Sequence, residues 1–257
     1  MKQIVFQLLF IALLLTSCHS DNKDNRSASQ PISRPACQPI SCLEIISGED
    51  HSSKTLKYDS SNRLIEILPE NDSPTKISYQ NDIITVTDEE GCFVTTYEIS
   101  GDTIMETGKL INSVYTFKEG KIYKSNRDFT IGRNYQSTYK WEENCLKEIV
   151  TDNDGYINTT TYKYSNIQNP FSIDVFDILD NFELAISSLV DGFNSEFLPE
   201  EITWEGTMFG YLPMKTICTC GYVFNDGLIS EIHMAKHNIS PDEGRDEPEN
   251  IVVKITY

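Results

Sequence analysis

One unit recurs along this chain and points to a wide antiparallel sheet. It consists of an aromatic-bearing strand end, a short turn with Gly, Asn or Asp, and a return strand carrying Leu or Ile. The clear copies are "LKYDSSNRLIEI", "ISYQNDIITV", "TYEISGDTIM", "YTFKEGKIYK", "YKWEENCLKEI", "YKYSNIQNP" and "YVFNDGLISEI". Their aromatic anchors are Tyr58, Tyr79, Tyr97, Phe117, Trp141, Tyr164 and Phe224, and the first six stand 18 to 24 residues apart. That spacing holds two strands of roughly 5–8 residues with their turns, so each unit reads as a β-hairpin.

Alternation supports this reading. Tyr139 and Trp141 share one face of a strand against Thr138, Lys140 and Glu142, and Tyr162 and Tyr164 alternate with Thr161 and Lys163. Asn225-Asp226-Gly227 and Asp152-Asn153-Asp154-Gly155 are turn sequences, glycine supplying the positive φ that tight hairpins need. The second is not a calcium loop, because Val150 and Thr161 stand where an EF-hand needs its first and last acidic ligands. One segment breaks the period. Val175, Ile178, Leu179, Phe182, Ala185, Ile186 and Leu189 recur at helical spacing, which predicts a helical insertion near residues 172–192. The expected fold is mainly β: a single large, highly curved antiparallel meander, an open barrel-like sheet, whose inserted helix covers a face or end. An acidic, Pro-containing loop, Ser240 to Asn250, precedes the last strand, "IVVKITY".

The first residues have another purpose. Lys2 is followed by "IVFQLLFIALLL", twelve residues that as a helix rise about 18 Å, too short for a hydrocarbon core of roughly 30 Å. This is the apolar region of an export signal. It ends in Leu15-Thr16-Ser17-Cys18, which resembles a bacterial lipobox, so residues 1–17 are expected to be removed and Cys18 acylated. Two or three acyl chains hold a protein firmly where one holds it marginally. Residues 18–39, rich in Ser, Asn, Asp and Pro, read as a flexible tether, and residues 40–257 as the β domain. His19, where inner-membrane retention would favour Asp, points to the outer membrane. "HSDNKD" (His19 to Asp24) resembles the acidic signal for display on the cell surface.

A net charge of −18 excludes the basic footprint of a nucleic-acid-binding protein and discourages contact with anionic lipid beyond the anchor. Besides Cys18 there are six cysteines: Cys37, Cys42, Cys92, Cys145, Cys218 and Cys220. An even number in an exported chain permits a disulfide framework, and one or two bridges are expected. Cys37 and Cys42 flank a short turn; Cys218 and Cys220 fall on one strand face, so each would need its own partner. The spacings fit no zinc site.

"YKYSNIQNPF" leading into the insertion, "FLPEEITWE" resuming the sheet, and "YVFNDGLISEI" with the closing "VVKITY" together resemble the lipoprotein family of domain of unknown function 4595, which has a porin-like fold. The resemblance spans roughly residues 40–257, and Asn169-Pro170-Phe171 with Leu198-Pro199 is its most specific part. "YDSSNRL" also resembles a tyrosine-aspartate repeat. The cysteines and the acidic loop depart from the family pattern. The resemblance implies an exported, curved antiparallel sheet and carries over no functional residues.

Little in the sequence points to catalysis. His233 and His237 have zinc spacing only on a helix, and here they follow a strand. Asp88-Glu89-Glu90, Glu142-Glu143 and Glu200-Glu201 are local acidic runs whose adjacent members face opposite ways on a strand, unlike a glycosidase pair. There is no nucleophile elbow, P-loop or dinucleotide fingerprint. The expectation is no enzyme, no metal and no cofactor. Asp102-Thr103-Ile104 matches a short O-glycosylation motif at Thr103. The functional expectation is a lipid-anchored binding or structural module of the envelope, its partner an envelope protein. The alternative is a carrier holding an apolar or amphiphilic molecule beneath the helix, against Tyr139, Trp141, Tyr162, Tyr164, Tyr222 and Phe224.

Overall fold

A computed structural model describes residues 39–88, 91–171, 187, 189–190, 193, 195–208, 212–239 and 249–257. Its regular elements are strands. The first eight are β1 (Cys42–Ser47), β2 (Asp50–Tyr58), β3 (Leu64–Pro69), β4 (Thr75–Gln80), β5 (Ile83–Thr87), β6 (Val94–Ser100), β7 (Thr103–Thr107) and β8 (Ile111–Lys118). The rest are β9 (Lys121–Phe129), β10 (Arg133–Glu142), β11 (Cys145–Asn153), β12 (Tyr156–Gln168), β13 (Phe197–Met208), β14 (Leu212–Asn225), β15 (Leu228–Ile239) and β16 (Glu249–Thr256). Each pairs antiparallel with its neighbours in sequence, and β1 pairs with β16 from Cys42↔Thr256 to Ser47↔Ile251.

That last ladder corrects one expectation. The sheet is a closed sixteen-stranded barrel, not an open one. Closure satisfies the edge groups of β1 and β16 that an open meander would leave exposed. No helix stands among the described elements either; most of the insertion expected over residues 172–192 lies outside the described residues, as do the signal segment and nearly all of the tether.

The turns explain the regular meander. Asp154-Gly155 and Asp226-Gly227 both hold positive φ at their two central residues, the geometry whose twist matches paired strands. Asp152 Oδ1 accepts the Gly155 N–H at 2.7 Å, which confirms turn chemistry where a calcium loop was rejected.

Sixteen-stranded pores enclose an aqueous channel. This barrel does not. Many of its inward-facing side chains, among them Leu43, Ile122, Leu146, Leu198, Ile232 and Val253, are fully buried, so among the described residues the interior is packed with protein. The outer wall carries paired charges. Lys57 and Glu66, Lys163 and Glu201, Glu205 and Lys215, and Glu44 and Lys254 stand directly opposite one another across four ladders. Their ammonium–carboxylate distances are 2.5, 2.7, 2.6 and 3.8 Å. Such pairs add little stability in water, about 0–1 kcal/mol each. In a lipid-facing wall each Lys alone would cost roughly 2–4 kcal/mol at the bilayer midplane. Charge pairs on the outer wall, over an interior packed by apolar side chains toward one end and by small polar ones toward the other, are unlike the wall of a membrane-embedded pore.

Candidate functional site

The barrel interior divides along its axis. One end holds the chain entry, where Ile40 is buried and Ser41 N donates to Thr256 O at 2.7 Å, and the long connection between β12 and β13. Around that end the inward positions are aromatic and aliphatic. Phe193 from the connection meets Tyr115 and Phe117 edge-on, with ring centroids 6.0 and 5.5 Å away. The Asn169-Pro170-Phe171 … Leu198-Pro199 frame acts as its neck: Asn169 N donates to Glu196 O at 2.9 Å, and Phe171 N donates to Asn169 Oδ1 at 3.1 Å. Ser195, fully buried, accepts the Leu146 N–H at 2.8 Å and lies 2.7 Å from the Tyr164 hydroxyl.

Toward the other end the inward positions turn polar. Tyr97, Glu106, Ser113, Arg127, Tyr135 and Asn153 follow one another across successive ladders from β6 to β11. The Glu106 carboxylate is buried and accepts from the Tyr115 hydroxyl at 2.7 Å and the Tyr97 hydroxyl at 3.2 Å. Burial above all, then the Glu106 charge, holds the Tyr115 phenol well above its ordinary pKa. Beside this arc lies a belt of small polar side chains, Ser125, Ser137, Thr151 and Asn158, all buried. Ser137 and Thr151 bond at 2.9 Å. Among the described residues, Ser113 Oγ and Arg127 Nε are buried without a hydrogen-bond partner.

A third group is chemically distinct. Cys218 and Cys220 lie two apart on the inner face of β14, Cys218 buried and Cys220 partly buried against the core. Met234 on β15 stands opposite Cys220, and Lys236 opposite Cys218; both are buried. The shared proton draws the Cys218 pKa down and pushes Cys220 up, with the Lys236 charge adding to the fall at Cys218. An open depression of about 380 Å³ in this wall is lined by Cys220, Gly221, His233, Met234 and Ile251, among others.

The residues singled out by sequence fall as follows. Tyr162 is buried in the core; Tyr139, Trp141, Tyr164 and Tyr222 pack against it. The polar atoms of these four all have partners: Tyr139 OH lies 3.1 Å from Ser125 Oγ, and Trp141, Tyr164 and Tyr222 donate to backbone carbonyls at 2.6–2.7 Å. They build the wall's inner lining. Phe224 instead is about half exposed, beside the Asp226-Gly227 turn. Cys42, Cys92, Cys145, Cys218 and Cys220 are free thiols, so the expected bridges are not formed among the described residues; Cys37 and Cys18 lie outside them. The pairing of Cys218 with Cys220 was missed because each was assigned a separate partner, although their i, i+2 spacing already placed them on one face. His233 stands on the outer face, 2.7 Å from Glu231 Oε2, and His237 lies four residues further along the same strand. Among the described residues no cluster of three or more His, Cys, Asp or Glu could hold a metal ion. Thr103 opens β7 beside the Gly101-Asp102 turn.

No protein-family model matches the chain, and no curated protein matches it. Its fold does have solved relatives in shape. One is a porin-like protein from Bacteroides uniformis ATCC 8492, known from a crystal structure at 2.32 Å resolution. The two share a TM-score of 0.62 at 18% identity, over 86% of this chain and 98% of that one. At that identity the likeness establishes the barrel fold alone, and it agrees with the porin-like fold implied by the Asn169–Pro199 frame.

Proposed function

We propose that this chain is an envelope lipoprotein, held to the outer membrane by acyl chains on Cys18, whose filled barrel serves as a rigid binding or structural module at the cell surface. It is neither a pore nor an enzyme. The observation that carries this reading is the polarity of the outer wall: charged pairs cross it on β1–β3, β12–β14 and β16, while side chains packed inside bury much of the interior. A barrel with that wall stays in water, so its membrane attachment falls to the N-terminal anchor. The likeness to a porin-like protein is compatible with an envelope location.

The test compares wild type with Cys18→Ala. Expected are fatty-acid labelling and membrane fractionation of the wild type, release of the variant into the soluble periplasmic fraction, and no conductance when the purified barrel is added to planar bilayers. Membrane retention of the unlabelled variant, or stepwise conductance, overturns the proposal. The carrier alternative relied on six aromatics, of which Trp141, Tyr164 and Tyr222 are committed to backbone carbonyls and Tyr162 is buried. Native mass spectrometry should accordingly give the apo mass; a reproducible added mass lost on denaturation would restore the carrier reading.

A further inference from the structure

We propose that Cys218, Cys220 and Met234 form a binding site for a soft monovalent d¹⁰ metal ion, Cu(I) being the natural probe. Two observations converge on it. First, two thiols stand two residues apart on one strand face, held there by ladders on both sides of β14. A regular strand puts i and i+2 side chains in parallel, so the pair is set by the backbone and does not depend on a flexible loop. Second, the cross-strand neighbour of Cys220 is Met234, whose thioether is the other soft donor proteins offer.

The donor set selects the metal. Zinc in a structural site takes four tetrahedral ligands, typically with imidazole or further thiolates. Here the nearby histidines do not join: His233 pairs across the ladder with Gly221 and His237 with Ile217, the alternate positions that place them on the outer face. Thiolate and thioether without imidazole or carboxylate favour Cu(I), which accepts two or three sulfur ligands. On binding, two S–H bonds break, two thiolate–metal bonds and one thioether–metal bond form, and both protons pass to solvent; no electron is transferred. The resulting bis-thiolate complex carries one net negative charge. The Lys236 ammonium, opposite Cys218 and buried, lies where it offsets that charge.

The experiment uses the full mature chain with the exposed Cys92 replaced by Ser, fully reduced and handled without oxygen. Cu(I) is presented as its bicinchoninate complex, and transfer is read from the loss of that complex's colour. Expected is withdrawal of one equivalent per chain with an affinity that Cys218→Ser and Cys220→Ser each abolish. Met234→Leu, which preserves volume, should weaken binding about tenfold while circular dichroism remains unchanged. X-ray absorption of the loaded protein should show only sulfur neighbours. Failure to withdraw copper, or equal withdrawal by a folded Cys218→Ser/Cys220→Ser double variant, overturns the proposal. Neither result bears on the anchor or on bilayer conductance, so this site and the envelope reading stand or fall separately.

Discussion

The Trp141 indole donates from Nε1 to the carbonyl oxygen of Ile122, on the neighbouring strand, at 2.7 Å. The same relationship recurs around one end of the barrel. Tyr79 donates to Leu64 O at 3.0 Å, Tyr164 to Leu146 O at 2.6 Å, Tyr222 to Pro199 O at 2.6 Å and Tyr257 to Ile229 O at 3.0 Å. In each case the ladder between the two strands has already stopped: β9–β10 ends at Lys124↔Thr138, β11–β12 at Glu148↔Thr161, β15–β16 at Glu231↔Lys254. Bulges at Ile122, Leu146 and Ile229 tighten the preceding hairpin and draw the strand away from its next neighbour. The carbonyl left over is capped by an aromatic side chain long enough to span the gap. Of the recurring aromatic anchors, Tyr79, Trp141 and Tyr164 act in this way.

Trp141→Phe keeps the ring and removes the donor. It should destabilise the fold by about 1–3 kcal/mol, the cost of a buried carbonyl left unpaired. Tyr164→Phe should cost more, because its hydroxyl also meets Ser195 at the neck of the long connection. Urea denaturation monitored by far-UV circular dichroism measures both. Equal and negligible losses would mean the carbonyls find water.

Glu106→Gln tests the polar arc. The carboxylate accepts two phenolic hydroxyls, whereas an amide has one oxygen and an NH₂ that cannot accept. One tyrosine must then accept from the NH₂ where it had donated, and a loss of roughly 1.5–3 kcal/mol is expected. Tyr97→Phe in the Gln background should recover part of it, an interaction that additive changes would not produce.

Alkaline pH should loosen the barrel. Burial pushes the Tyr79 and Tyr257 phenols up to about 12, from an unfolded value near 10. Below about pH 10 both states keep the proton, so these groups leave stability independent of pH. Between about 10 and 12 the unfolded chain ionises and the native one does not, so stability falls as pH rises. Tyrosinate absorbance should lag behind that of free tyrosine and then rise together with the loss of circular dichroism. In Tyr257→Phe the fall of stability with pH should be shallower. A titration at ordinary tyrosine values in the native protein would contradict this.

Much of this fold was legible in the sequence because hairpins are local: "NDG" and "DNDG" fix turns, and aromatic–polar alternation fixes which face is buried. Closure was not legible. It depends on Cys42–Ser47 meeting Ile251–Thr256 from opposite ends of the chain, and no local signal marks such a pair. The aromatics at Tyr139, Trp141, Tyr164 and Tyr222 were legible as inward-facing, but the partners of their polar atoms were not, since bulges and ladder ends decide where carbonyls are left unpaired. The interior Glu106 and Lys236 also left no trace, because an acidic or basic residue in a strand looks like a solvated one until the opposite wall is known.

Gly206 supplies the most local test of the interior. It faces inward on β13 opposite Asn158, and a Cβ built on it would lie 2.0 Å from Asn158 Oδ1 and 2.8 Å from the Trp204 ring. Asn158 Oδ1 is not free to retreat, since it accepts the Thr207 N–H at 3.1 Å. Gly206→Ala should therefore cost about 1–3 kcal/mol, as overpacking does. Asn158→Ala alone should also destabilise, by leaving that N–H unpaired. Together the two changes should cost less than their sum by at least about 0.5 kcal/mol, because the alanine at 158 vacates the space that the new methyl needs. Strict additivity in urea denaturation would show that the glycine is not there to make room for the amide.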